Sequence, residues 1–556
     1  MRQCHFISTV FALCALPFSL SAATLLVTGT ADPGISGQQL QSAVDSAQPG
    51  DTILVSPNVY RGTINLPKKN NPNGLPITIQ SSSSASSLPG VGVRTSPTYS
   101  VALPQIVGDN GQSPIFVTPG ASHYNLINLE MRPESPAAFI FQALTIGSGN
   151  SDQSTLDAVP RFITVDRCYI HGFPGQNLKS GIQLNSGNTK VINNYIAEIH
   201  SDYQDSVAIT GFNGPGPFEI VNNYLEAAGV NVIFGGAVPQ IPGLIPSNIL
   251  IAKNDFAKLL SYKNWDLVDA QTYAYISQTQ PNRIVYYQGR RMTNFVYHTV
   301  GAYTPIVKNM LEFKLGQDVS VIGNTFTNTY VQADQFGIPL VITPRTEQGQ
   351  VPWATTQRIN ISDNIFRHQG GVISILDKEI GQTGPATNNI TLYNNLFEDL
   401  RSDYSFDYER LISVYGITNL RIDHNTMLNN AEYFTEVSTT PVTNFIYTDN
   451  IAVYGAGFSA QCGGYNVSAF ACGFVGYSWS QNLLIGGNAN VVPDSVVPYT
   501  YFPPSVADVG FVNAQAIGAD YHNYALAPTS LYKGKGLHRS DPGFMPGAYD
   551  AARNSY

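Results

Sequence analysis

Val191-Ile192-Asn193-Asn194-Tyr195-Ile196 reads as a short strand, an asparagine corner and a second strand, and the phrase keeps returning. It recurs as Ile220-Val221-Asn222-Asn223-Tyr224-Leu225, as Ile249-Leu250-Ile251-Ala252-Lys253-Asn254-Asp255-Phe256 and as Val319-Ser320-Val321-Ile322-Gly323-Asn324-Thr325-Phe326. Further copies are Ile359 to Phe366 around Asn364, Ile390 to Phe397 around Asn395, Leu420 to Met427 around Asn425 and Phe445 to Ile451 around Asn450. From Asn194 the aligned asparagines step by 29, 31, 70, 40, 31, 30 and 25 residues. A period in this range marks stacked units, none of which buries an apolar face alone.

Within a unit the apolar positions alternate, as at Ile390 and Leu392, so the local element is a strand, and β-branched residues suit its half-buried surface. Asparagine tolerates the left-handed backbone region and bonds its own neighbourhood, which suits a tight corner. Stacked asparagines are expected to form a side-chain hydrogen-bond ladder. A repeat of about 25–30 residues accommodates three short strands and three corners. A β-sandwich or separate βαβ units explain the repeat less well, since long segments of helical period are few.

The repeated pattern of apolar alternation and Asn resembles the right-handed parallel β-helix of the pectate-lyase-like superfamily over residues 24–545. The resemblance implies an all-β, single-stranded solenoid. Gln39 to Gln48 reads as a short amphipathic helix, placed to cap the open end of the stack. With the strands that follow, this opening resembles polysaccharide lyases of the alginate-lyase and chondroitinase B type. Residues 24–556 are read as one β-helix domain, with a loop at 82–104, an insertion at 257–308 and a C-terminal wrap over 510–556. Insertions on solenoids gather on one face, often the ligand-binding one.

Residues 1–23 carry Arg2, an apolar run from Val10 to Phe18 and small residues at Ser21-Ala22-Ala23, as in a cleavable secretory signal. The expectation is a secreted or periplasmic protein with no membrane span. Export permits a disulfide between Cys462 and Cys472, while Cys168, at a ladder position, reads as a buried structural thiol. With 29 Lys and Arg against 38 Asp and Glu, the net charge of −9 shows no basic footprint for nucleic acid.

Candidate chemistry falls in two clusters. Asp202, Asp205 and Glu226 sit in successive coils and could share a surface that binds a hard cation such as Ca²⁺, with His200 beside them. Gln204-Asp205-Ser206-Val207-Ala208-Ile209 resembles the paired-aspartate strand of polygalacturonase-type hydrolases, but Ser206 replaces the second aspartate, so two-carboxylate hydrolysis is poorly supported. In the second cluster, Glu312 and Lys314 are two residues apart and face one way on a strand. β-Elimination from a uronate needs a group to neutralise the sugar carboxylate and a base to remove the α-proton. In resembling lyases, Ca²⁺ or cationic residues do the first and Lys or Arg the second. This implies Lys314 as base, Arg345 as its partner and Glu312 as cation ligand or orienter. His200, Asp334, Gln335, Trp265, Arg290 and Arg291 form the expected substrate-binding set, the last three from the aromatic-rich insertion. The function expected is a lyase acting on an acidic polysaccharide; the alternative is a non-catalytic carbohydrate-binding or adhesin-like β-helix.

Overall fold

The computed structural model describes residues 22–262, 286–287, 290–291, 305–330, 337–371, 373–400, 410–429, 433–437, 439–455, 457–490, 495–513 and 520–556. A representative coil runs through Gly187–Ile192, turns at Asn194, continues as Tyr195–Ile199, turns again into Val207–Gly211 and returns to Phe218–Val221 one level up. Repetition of this path builds three sheets, here sheet 1, sheet 2 and sheet 3 in the order a coil visits them. Among the described residues they hold 15, 13 and 13 strands. Nearly every rung is parallel, and the crossovers give the right-handed parallel β-helix expected.

Register follows the repeat. Val191 pairs with Ile220, Ile220 with Ile251, Ile251 with Val321, Val321 with Ile361 and Ile361 with Leu392, all pointing into a dry core. Inside sheet 2, Phe256, Phe326, Phe366 and Phe397 stack with ring centroids 4.4, 4.5 and 4.7 Å apart.

The expected ladder is present and reaches one step further than the sequence pattern, to Asn482. From Asn194 upward, each side-chain Nδ2 donates to the Oδ1 of the next at 2.9–3.1 Å. Each backbone N–H donates to that same oxygen. Cys168 is buried and free, and its N–H donates to Asn194 Oδ1. One detail of the corner differs from expectation. The left-handed residue is the one before the ladder asparagine, as at Asn193, Asn222, Lys253, Asp363, Asn394 and His424. The ladder residue stays in the ordinary region because its side chain must point inward. At Gly323 (φ +65°) glycine fills the left-handed position, where a Cβ would come within 3.2 Å of Arg553 Cγ.

The capping helix spans Pro33–Ser46, starting earlier than its apolar pattern suggests because Asp32 accepts from the N–H groups of Gly34 and Ile35 and Pro33 opens the first turn. Leu40 and Val44 close the end of the core. Cys462 and Cys472 are joined by a disulfide, the pairing that export permits. The C-terminal helix Pro546–Asn554 lies along the outside of sheet 2, where Arg553 Nη1 donates to the Gly323 carbonyl at 3.2 Å. Asp255 ties both ends of the chain together, receiving Arg94 from the 82–104 loop at 2.5 Å and Arg553 at 3.5 Å. Residues 1–21, which contain nearly all of the expected secretory segment, lie outside the described residues. No described helix is long and apolar enough to cross a membrane.

Candidate functional site

Sheet 3 carries the first candidate site. In the strand Leu311–Phe313 the flanking residues enter the core, so strand period two turns Glu312 outward. Glu312 aligns with Ile233 below and Val341 above. Lys314 lies 3.3 Å from Glu312 Oε1, and the two side chains are 12% and 6% exposed, so this pair is held largely out of water. Glu312 Oε2 is buried with no hydrogen-bond partner. Gly236, at φ +90°, leaves room for the lysine stem, since a Cβ there would stand 3.3 Å from Lys314 Cδ. One coil above, the Arg345 N–H donates to the Lys314 carbonyl, while its half-exposed guanidinium pairs with Glu379 at 2.7 Å. Among the expected catalytic residues, Glu312 and Lys314 therefore meet through their side chains and Arg345 joins them through backbone. Toward the N-terminus the outer face of the same sheet presents Phe141, 44% exposed and edge-on to Phe139.

The second cluster sits on the outer face of sheet 2 and the corner leading to sheet 3. Glu226 lies between the inward Leu225 and Ala227 and is itself buried. Its Oε1 accepts from Tyr262 O–H at 2.5 Å and from the Glu198 N–H at 3.1 Å. That N–H is exposed to it because the strand bulges between Ile196 and Ile199, with Glu198 at φ 55°. His200 Nε2 lies 2.9 Å from Glu198 Oε2, and its ring packs edge-on to Tyr262 at 5.3 Å. Burial pushes the Glu226 carboxyl above the usual range, opposed by the Tyr262 hydrogen bond, and burial beside that carboxylate drives the Tyr262 phenol far up. Lys258 is fully buried at the corner, donating to the carbonyls of Ala227, Ala228 and Gly229 and to Asn231 Oδ1. Burial, then Lys308, lowers its pKa well below the ordinary lysine value.

Glu226 and Glu312 thus occupy the outer faces of different sheets. Asp202, Asp205 and Glu226 do not converge either. Asp205 is held by Lys308 at 2.9 Å, the Asp202 N–H donates to Asn177, and Glu226 is committed to Tyr262. The three do not fit a Ca²⁺ ion, which requires six to eight oxygens gathered around one point. Among the described residues, the one group able to bring three ligand atoms within 4.8 Å of one another is Asp423, His424 and Asp449. Trp265, Asp334 and Gln335 lie outside the described residues; the backbone of Arg290–Arg291 pairs antiparallel with Tyr286–Tyr287. Lys258, Tyr262 and Glu198 escape a sequence reading, because the strand bulge and the contacts made across coils bring them together.

A raised carboxyl has a testable consequence. With its folded pKa raised, Glu226 contributes stability that is fully present below the ordinary glutamate range and is lost as pH rises through the higher folded value. Glu226→Gln keeps an oxygen for Tyr262 and Glu198 but cannot ionise. Thermal melts across pH should show the variant gaining on the wild type as pH rises through that window. A difference constant with pH would contradict the assignment.

No family model matches the chain, and no curated protein matches it in sequence. Solved structures do resemble it. A family 6 alginate lyase, AlyGC, aligns over 94% of this chain at 12% identity and a TM-score of 0.47, with this chain spanning 59% of that protein. A mannuronic acid specific family 6 lyase from human gut microbiota aligns over 96% of this chain and 99% of its own, at 11% identity and a TM-score of 0.41. PfbA, a surface adhesin of Streptococcus pneumoniae, aligns over 79% and 92%, at 11% identity and a TM-score of 0.43. Likeness at this level concerns the chain path alone; the sheets and the ladder themselves carry the assignment. The chain is a right-handed parallel β-helix.

Proposed function

We propose that this chain is a secreted polysaccharide-degrading enzyme, a lyase that cleaves a uronate-containing glycan by β-elimination on the outer face of sheet 3. The observation that carries the reading is the Glu312–Lys314 pair, 3.3 Å apart on that face, with Arg345 bonded to the Lys314 carbonyl one coil above. Arg345 supplies a planar cation able to neutralise the sugar carboxylate by a two-pronged contact, which acidifies the proton on the adjacent carbon. Lys314 removes that proton; the electron pair forms the carbon–carbon double bond, and the glycosidic oxygen leaves, taking a proton from solvent to become a hydroxyl. Glu312 orients the lysine.

Sugar rings present apolar faces that pack on aromatic rings, and Phe141 offers such a platform on the same sheet. Phe141→Ala should raise KM several-fold with little change in kcat, measured by initial rates on a long polymer. An unchanged KM would remove Phe141 from the binding surface.

The test of the function is incubation with a panel of uronans while following the ultraviolet absorbance of the unsaturated product. Appearance of that signal supports the lyase, and silence across the panel, with and without Ca²⁺, rejects it. A second reading, a non-catalytic glycan-binding β-helix, is favoured by the low exposure of Lys314. It predicts retention on a glycan column with polymer length unchanged.

A further inference from the structure

At the corner between sheets 1 and 2, where the C-terminal wrap lies against the upper coils, Asp423, His424 and Asp449 form a cluster that the proposed chemistry does not use. His424 and Asp449 hold the same left-handed corner position in successive coils, and each directly precedes its ladder asparagine. Imidazole Nδ1 lies 2.8 Å from Asp423 Oδ1, and the opposite nitrogen, Nε2, is the one turned toward the wrap. Nε2 faces Asp449 Oδ2 at 3.5 Å and Ser540 Oγ at 3.3 Å. Asp449 is 0% exposed, and its Oδ2 has no hydrogen-bond partner, while its Oδ1 accepts from the Leu537 N–H at 2.8 Å.

We propose that His424 Nε2 and Asp449 Oδ2 bind a divalent transition-metal ion of the zinc class, with Ser540 Oγ beside them and Asp423 as the carboxylate that orients the histidine. Two ligands each about 2.0–2.2 Å from one tetrahedral ion stand roughly 3.3–3.6 Å apart, the separation found here. A carboxylate on the far nitrogen of a metal-binding histidine is the usual second layer of such sites. The other Asp423 oxygen is engaged by Arg421 at 2.5 Å, so this residue positions and does not coordinate. An imidazole ligand and so few oxygens disfavour Ca²⁺ and suit zinc, nickel or copper. The ion would fasten residues 537–543 of the wrap to the stack, where the Gly543 N–H already donates to the Asp449 carbonyl. Metal bound only by the folded chain stabilises it by mass action.

The experiment uses the full chain, stripped with a chelator and titrated separately with Zn²⁺, Co²⁺ and Ca²⁺. Expected are one Zn²⁺ per chain, a visible Co²⁺ spectrum of a four-coordinate nitrogen–oxygen site, a higher melting temperature and protection of Arg539 from trypsin. Asp449→Asn should abolish these responses, and Asp423→Asn should weaken Zn²⁺ binding roughly 10–100-fold. His424→Gln guards against a misfolded Asp449 variant, since it removes the nitrogen ligand and leaves the Leu537 contact in place. Zn²⁺ binding equal in wild type and both ligand variants would overturn the proposal. So would a wrap whose stability follows pH but ignores metal, the behaviour of a protonated histidine bridging two carboxylates.

Discussion

Asn324→Ala is expected to destabilise the protein by about 3–5 kcal/mol, because it removes an acceptor from two buried donors at once. Asn324 Oδ1 receives both the backbone N–H and the side-chain Nδ2 of Asn254, each at 2.9–3.0 Å. The same substitution deprives the Ile251 carbonyl of its 2.9 Å donor. All three groups lie where water cannot replace the lost partner. The informative control is an outer row of asparagines. Asn419 is exposed, takes Asn444 Nδ2 at 3.0 Å and holds a left-handed φ of 61°. Asn419→Gly keeps that backbone free of strain and leaves groups that water can solvate, so its effect should stay within about 0.5 kcal/mol. Chemical unfolding of both variants checks this. Equal effects would show that the inner ladder is not the spine of the stack.

The second large effect is catalytic. Lys314→Ala is expected to lower kcat/KM by about 10²–10⁴-fold, the usual worth of a positioned general base. Truncation alone leaves the Glu312 carboxylate buried without its cation, a cost in stability that would confuse the result. Pairing Lys314→Ala with Glu312→Gln removes that charge and keeps the fold comparison fair, judged by coincident melts. Lys314→Arg separates the roles further. Arginine preserves the positive charge facing Glu312 but does not deprotonate, so it should be as inactive as alanine if the lysine is the base. Recovered activity in the arginine variant would point instead to electrostatic stabilisation.

The parallel coil was legible because its corner residue repeats in an apolar alternation that no other fold requires. Asn482 was hidden by the strand before it, Ser478–Ser480, whose only large apolar residue is Trp479. The left-handed corner residue was obscured where two asparagines stand together, as at Asn193-Asn194 and Asn222-Asn223; only the backbone shows which one turns and which one bonds. Glu312 and Lys314 could be paired from sequence because strand period two fixes their side. Glu226 was read as a cation ligand instead, since its actual partner Tyr262 arrives 36 residues later and the bulge at Glu198 has no pattern of its own. The Asp423–His424–Asp449 cluster was equally invisible. His424 stands beside a ladder asparagine and acquires its second set of neighbours only when the tail folds back 116 residues later to bring Ser540 alongside.

Mass spectrometry of the products from a uronan digest tests the central claim most directly. Elimination on sheet 3 predicts fragments that carry a carbon–carbon double bond at the new non-reducing end, each lighter by one water than its hydrolytic counterpart, and none from Lys314→Ala. Fragments that have taken up water, or a wild-type digest identical to that of the Lys314→Ala chain, would contradict it.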